Sequence, residues 1–423
     1  MIVNLFPASW PKRKSVVFLS FIAIFICYID RVNISVAIIP MAEDLGWNLR
    51  TQGFVLSSFF IGYLLLQVVG GSLADRFGGK LVLGAGVLLW SLFTILTPPA
   101  ASLGLAVLIA ARILMGMSEA VTGPSIYSLY AKWLPLKNRA SSIGFTNSGI
   151  PLGTAFALIV TPLIVSAWGW QWAFYSFGAV GGVWFIFWYF VVTSTPQEHP
   201  LVTEAELAEL EGTDRSDEEL VVPWKAMLSS SAVWAIIVAH FCTNWSLYVL
   251  LSWLPTYVNK GLGVDYASVG WYTMVPYISS FLFLNIAGVL ADRLITGGMA
   301  VGKVRKLMQT IAFGGIALSL GVVGYVQTPA LAIGIMAVGT ALGAFGTGGF
   351  GVNHLDIAPR YAGTLMGITN TAGTIPGIIG VIITGFILES TGSWMLVFQL
   401  AAAVSLVGLV AFLLFSKAEK LFD

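Results

Sequence analysis

The sequence predicts an all-α membrane protein of twelve transmembrane helices in two pseudo-symmetric six-helix halves. Three observations carry this. The 423 residues are 57% hydrophobic and 10% charged, with a mean hydropathy of +0.87, far from an ordinary soluble domain. Windows of about 20 apolar residues, the length that spans a bilayer, fall into six, a polar stretch, and six more. Finally, Gly71-Ser-Leu-Ala-Asp75-Arg76 after the second window recurs as Gly288-Val-Leu-Ala-Asp292-Arg293 after the eighth, and Thr146-Asn147 recurs as Thr369-Asn370. The separations are 217 residues between the aspartates and 223 between the asparagines, as expected of two repeats with loops of unequal length.

In order, the first window, 16–40, is too long for a signal-peptide core and lacks a small-residue cleavage site, so it stays as a helix. The tail before it is expected to be too short for a transit peptide. Windows at 52–74, 81–97, 103–131, 140–166 and 172–193 complete the first half, residues 1–194. Residues 195–222, with Glu204, Glu206, Glu209, Glu211, Asp214, Asp217, Glu218 and Glu219, form an acidic solvated linker. The second half, 223–423, holds windows at 229–258, 266–291, 304–326, 329–352, 361–388 and 394–416. Gly and Pro inside these windows allow close packing and local unwinding in a membrane.

Placing both termini in the cytoplasm puts 17 of the 21 Lys and Arg on the inner side. Only Arg50 and Lys260 fall outside, and Arg31 and Arg112 lie within helices, so the positive-inside rule supports an even helix count. The formal charge of +1 leaves no basic footprint for nucleic acid. Cys27 and Cys242 sit in apolar windows and read as small core residues, which excludes a disulfide framework. No nucleotide-binding loop, metal-spaced histidines or nucleophile motif is present, so no enzyme, cofactor or metal is expected.

The chemistry concentrates in Asp30-Arg31 and in Arg112 with Glu119. An ionisable group at mid-bilayer costs roughly 2.5 to 3.5 kcal/mol on insertion scales, so four unpaired ones would cost on the order of 10 kcal/mol. Such groups mark a site. Arg112 and Glu119 are two helical turns apart and share a face. An Arg fork suits carboxylate or phosphate, whereas a desolvated carboxylate can carry a proton. Arg31 and Arg112 are therefore expected to bind substrate, and Asp30 and Glu119 to handle the coupling proton. The alternative is a pair of structural ion pairs, such as Asp30 with Arg112.

The Gly71 to Lys80 loop and its repeat resemble the signature loop of the major facilitator superfamily. That resemblance implies a gating role for Asp75, Arg76, Asp292 and Arg293. More narrowly, Tyr28-Ile-Asp30-Arg31-Val-Asn33, Ser58-Phe-Phe-Ile-Gly62-Tyr63, His240-Phe-Cys-Thr-Asn244-Trp245, Trp253-Leu-Pro255-Thr-Tyr257 and Asn353-His354-Leu-Asp356-Ile-Ala-Pro-Arg360-Tyr361 are similar to the anion:cation symporter branch. That branch includes plastid and animal phosphate transporters, sialin, vesicular glutamate carriers and bacterial sugar-acid transporters.

The resemblance implies a secondary active transporter moving an organic anion by alternating access, with proton or sodium as coupling ion. Inorganic phosphate and a transporter-like nutrient sensor are the alternatives. Tyr63, Asn147, Asn244, Trp253 and Asn370 join the expected substrate-binding residues. Vesicular glutamate carriers have an Arg at the position of Thr243, which argues against glutamate. His240 reads as a hydrogen-bonded core histidine before a proton carrier, and His354 and Asp356 as structural or gating residues rather than metal ligands. The sequons at Asn33 and Asn244 lie inside helices, and the first outer loop is short. Both favour a bacterial inner membrane or an organelle of bacterial origin, with the chain acting as a monomer in the lipid bilayer.

Overall fold

The computed structural model describes residues 10–209, 222–359 and 361–422, which form helices and no strand. Seventeen α-helices are present among them. The first half contains α1 (Lys12–Leu45), α2 (Leu49–Phe77), α3 (Gly79–Leu103), α4 (Leu105–Ala120), α5 (Thr122–Trp133), α6 (Leu136–Asn147), α7 (Gly149–Trp168) and α8 (Trp170–Val191). The short α9 (Glu204–Ala208) and α10 (Trp224–Ser229) flank the acidic part of the linker. Then come α11 (Ser231–Thr256), α12 (Val269–Thr296), α13 (Val301–Val323), α14 (Pro329–Gly343), α15 (Phe350–Ile357), α16 (Ala362–Thr391) and α17 (Trp394–Phe415).

Twelve spans among the described residues are long and apolar enough to cross a membrane, in the expected order. Three spans are broken, which the apolar windows do not register. The fourth consists of α4 and α5, the fifth of the end of α6 with α7, and the tenth of α14 and α15. Gly123-Pro124 follows the first break, and Gly346-Thr-Gly-Gly349 lies in the last. Proline withholds an N–H and glycine adds backbone freedom, so the helical ladder is weakest there.

The chain forms two compact units, Met1–Ala37 with Ser58–Glu219, and Ile38–Ser57 with Leu220–Asp423. In the first, the linker straps the start of α1. The carboxylate of Glu206 accepts the backbone N–H groups of Lys12 and Arg13 at 3.1 and 2.9 Å, and Glu209 pairs with Arg13 at 2.8 Å. These are first-turn donors with no partner inside the helix, and an anion there also meets the positive end of the helix dipole. His199 clamps the same strap through Val191 O at 3.1 Å and the Leu201 N–H at 3.2 Å. Accepting from Leu201 requires the neutral ring. Burial lowers the His199 pKa, so this support is present at neutral pH and fades as pH falls through the lowered value. The acidic residues Glu211, Asp214, Asp217, Glu218 and Glu219 lie outside the described residues.

The second unit takes in the α1–α2 hairpin tip, which a division at the linker assigns to the first half. Glycine contact explains the difference. A Cβ on Gly385 would stand 2.7 Å from Leu49 O, and one on Gly53 would stand 3.3 Å from Val381 O. The tip is closed by Gly46 at φ 68°, a left-handed value that favours glycine. Asn48 caps α2 through the Thr51 N–H at 2.9 Å, and Glu389 accepts the Leu49 N–H at 3.0 Å. Lys260 pairs with Glu43 at 2.6 Å in an exposed position.

Replacing Glu206 with Ala removes two acceptors from the first turn of α1, worth about 1 to 2 kcal/mol in cap substitutions. Hydrogen–deuterium exchange should show faster exchange at residues 12–16, with α7 and α8 unchanged. Unaltered exchange at 12–16 would reject the strap.

Candidate functional site

The four intramembrane charges all lie in the first unit, on α1 and α4, with aromatic rings from α1 and α2. Cys27 and Arg31 are one turn apart on α1, as are Phe59 and Tyr63 on α2, and Arg112, Met115 and Glu119 recur on one face of α4. Two glycines bring α2 and α4 together. A Cβ on Gly62 would lie 1.8 Å from Ile113 O, and one on Gly116 would lie 2.0 Å from Phe59 O. Backbone cannot yield as a flexible side chain can, so these positions exclude any side chain. That contact sets Phe59 against the α4 charges.

Arg31 donates to one oxygen of Glu119 twice, from Nη2 at 2.8 Å and Nε at 3.1 Å. The Cys27 thiol donates to the same Oε2 at 3.1 Å. Glu119 is fully buried, and its Oε1 has no protein partner. The Arg31 guanidinium also faces three rings, Tyr28, Phe59 and Tyr63, at 4.6, 4.9 and 5.1 Å from their centroids. Each such contact is worth roughly 0.5 to 2 kcal/mol. Together with the carboxylate they offset the desolvation of a buried cation.

Arg112 is held differently. Its guanidinium lies 5.5 Å from the same Phe59 ring and donates to Met115 Sδ at 3.0 Å, a weak acceptor, while its Nε has no protein partner. Asp30 and Asn33, both fully buried, likewise make no side-chain hydrogen bond. The Asp30–Arg112 ion pair of the alternative reading does not form, and the ion pair that does form between these helices is Arg31 with Glu119. Arg112, Asp30, Asn33 and Oε1 of Glu119 remain a buried polar surface, and each unmet group there costs about 1 to 3 kcal/mol.

The remaining expected residues are dispersed. Asn244 donates to Gly373 O at 2.8 Å and joins α11 to α16. Trp253 is 1% exposed and donates to Val381 O at 3.1 Å, so it packs in the glycine seam of the second unit. Asn147 is exposed at the end of α6, and Asn370 is half-buried on α16. Arg76, Asp292 and Arg293 are exposed. The Asp75 side chain and Arg360 lie outside the described residues. Asp356 is engaged by the Arg305 fork at 2.8 and 3.1 Å. Missing from the expected set are Cys27, Phe59, Tyr28 and Met115. Cys27 was read as core filler, and its spacing of four residues from Arg31 is the signal that pointed to a shared face.

Residues 20–381 match the family model of the Major Facilitator Superfamily. The chain is 44% identical over 416 residues to the "Probable anion transporter 4, chloroplastic" of Oryza sativa subsp. japonica, covering 98% of this chain and 70% of the relative. It is 42% identical over 416 residues to the "Ascorbate transporter, chloroplastic" of Arabidopsis thaliana, covering 98% and 77%. It is equally identical, 42% over 416 residues, to the "Sodium-dependent phosphate transport protein 1, chloroplastic" of Arabidopsis thaliana, covering 98% and 81%. Among solved structures, a D-xylose-proton symporter superposes with a TM-score of 0.77 at 16% identity, covering 96% of this chain and 98% of that one.

Gly62→Ala and Gly116→Ala should each destabilise the protein by about 1 to 3 kcal/mol through overpacking, whereas Gly123→Ala should be near neutral, because nothing lies within 4 Å of a Cβ there. Thermal unfolding of the purified variants checks this. Equal melting temperatures for all three would mean that α2 and α4 do not touch as described.

Proposed function

Because the chain belongs to the Major Facilitator Superfamily, we propose that it is a secondary transporter that moves a small organic anion, a sugar acid or other carboxylate, by alternating access coupled to protons. The observation that carries the proposal is the capture of the Arg31 fork by Glu119, beside a second buried guanidinium on the same phenyl ring. A fork bound to a carboxylate of the chain has the chemistry to bind a carboxylate of a substrate. Ionised Glu119 and the anion then compete for Arg31. A proton on Glu119 removes the competitor and opens Arg31 to the anion, while loss of that proton restores the internal pair and expels it. Binding of the two is thereby linked, as symport requires.

In this scheme Arg31 and Arg112 hold the anion, with Tyr63 at the first guanidinium. Asn147, Asn244, Asn370 and Trp253 are kept as candidate contacts in other conformations. Asp30 is the second proton candidate, and Asp75, Arg76, Asp292 and Arg293 the gating residues. The names of the relatives support an anion as cargo. Inorganic phosphate is the second reading, favoured by the name of one relative and by two guanidiniums in one pocket of charge; sodium would then be the rival coupling ion. The lysine and arginine distribution supports cytoplasmic termini. We place the monomeric chain in an inner membrane of bacterial type or descent.

The test is uptake of ascorbate and of inorganic phosphate into proteoliposomes. Glu119→Gln imitates the protonated acid, so it should keep counterflow exchange within about twofold and lose at least about tenfold of the accumulation driven by a pH gradient. Arg31→Gln and Arg112→Gln should abolish both activities, and Arg112→Lys should recover little, because a point charge lacks the fork. Full pH-driven accumulation by Glu119→Gln would sink the competition scheme.

A further inference from the structure

A second polar chain, in the other unit, is not used by the charged cluster. His240 on α11 and His354 on α15 are buried, at 7% and 3% exposure. The Thr369 hydroxyl on α16 stands between them, 3.2 Å from Nδ1 of His240 and 2.9 Å from Nε2 of His354. The Phe350 ring lies against both imidazoles, with centroids 5.2 and 6.5 Å away. Gly373 makes room for the first: a Cβ there would stand 2.7 Å from Cδ2 and 3.0 Å from Nε2 of His240.

The hydrogen-bond roles follow from what each atom can do. Nδ1 of His354 faces the Gly351 carbonyl at 3.3 Å, an acceptor only, so it carries the proton. Neutral His354 then offers a lone pair at Nε2, and Thr369 donates to it. Having one hydrogen, the hydroxyl must accept from His240, whose proton is therefore on Nδ1 and whose Nε2 is a free base. The Met366 carbonyl, 3.2 Å from the same hydroxyl, gives that hydrogen another acceptor when both rings present N–H groups.

We propose that His240, Thr369 and His354 form a proton relay that holds one proton over two rings and passes it between them through the threonine hydroxyl. This rests on the proton-coupled reading above. A proton arriving at Nε2 of His240 displaces the Nδ1 proton onto Thr369 Oγ1. The original hydroxyl hydrogen moves to Nε2 of His354, so one charge leaves the α11 ring and one appears on the α15 ring. Nothing is consumed, and the reverse sequence restores the start. Among the described residues no carboxylate bonds either ring. The nearest pair on their elements, Asp356 with Arg305 of α13, is closed on itself at 2.8 and 3.1 Å, with Asn353 also donating to Asp356. A second proton would face only the first, so the pair takes one.

The sequence repeat sharpens the assignment. In the first unit Ser20, Tyr130 and Thr146 stand at the matching positions, with the Tyr130 hydroxyl hydrogen-bonded to Thr146 Oγ1 and the Ser20 hydroxyl donating to Val16 O. Their separations from His240, His354 and Thr369 are 220, 224 and 223 residues. Hydroxyls are enough to tie these helices together. The second half instead has two imidazoles, which can move a proton as well as join helices.

The chain has three histidines, so the full-length protein labelled with 15N-histidine in nanodiscs gives a readable titration, His199→Gln identifying the third signal. From about pH 8 to about pH 4, the His240 and His354 nitrogens should shift in one shared transition that takes up one proton. Thr369→Val, isosteric without the hydroxyl, should split it into two separate transitions, and Thr369→Ser should keep it shared. Independent midpoints in the parent chain, or a shared transition that survives Thr369→Val, would overturn the relay. The titration needs no substrate, so a failure of anion uptake leaves it standing, and its own failure leaves the Arg31–Glu119 scheme intact.

Discussion

A guanidinium and a carboxylate removed from water hold the first half together around one point. Isolated in the interior, either Arg31 or Glu119 would cost several kcal/mol after relaxation, and their mutual attraction repays this only with good geometry and further partners. Here the partners are the Cys27 thiol and three aromatic rings. The pair is complete on one carboxylate oxygen and unmet on the other. Such an arrangement is stable enough to fold around and poor enough to be displaced, which is the balance a cycling site requires.

The glycines of α2 and α4 are part of that balance. Without the backbone contact at Gly62 and Gly116, Phe59 would not meet both guanidiniums, and Arg112 would have only a thioether for company. The break at Val121 ends α4 two residues beyond Glu119. Glu119 is thus carried on the last turn of a helix whose continuation is a separate piece, α5. A small change at the break can move Glu119 without moving Arg112, two turns further back.

The spans and the charged positions were legible because both follow from transfer energetics: apolar length sets the helices, and buried charge is too costly to be incidental. Partner choice was not legible. Helical periodicity sets Arg112 and Glu119 on one face of their helix but does not rotate α1 against α4, so it does not say which acid meets which arginine. The contacts of the hairpin tip were not legible for a similar reason. Linker position marks where the chain is polar, whereas the Gly53–Gly385 approach depends on backbone shape that composition does not encode. Trp253, expected among the substrate contacts from its neighbours in the motif, packs in that seam.

The two halves repeat in backbone and differ in chemistry. Full charges are buried in the first, where aromatic rings and a thiol are on hand to hold them. Neutral imidazoles stand at the matching helix contacts of the second, where Phe350 and Gly373 supply space and no counter-ion. In the proposed scheme a carboxylate bound to arginine trades its proton against an anion. In the proposed relay two rings joined by a hydroxyl pass between them a proton that enters at Nε2 of His240. A repeat that kept identical residues in both halves would have two competing anion sites or two relays. Divergence at Tyr130 and His354, and at Ser20 and His240, leaves hydroxyls at these contacts in the first half and imidazoles in the second.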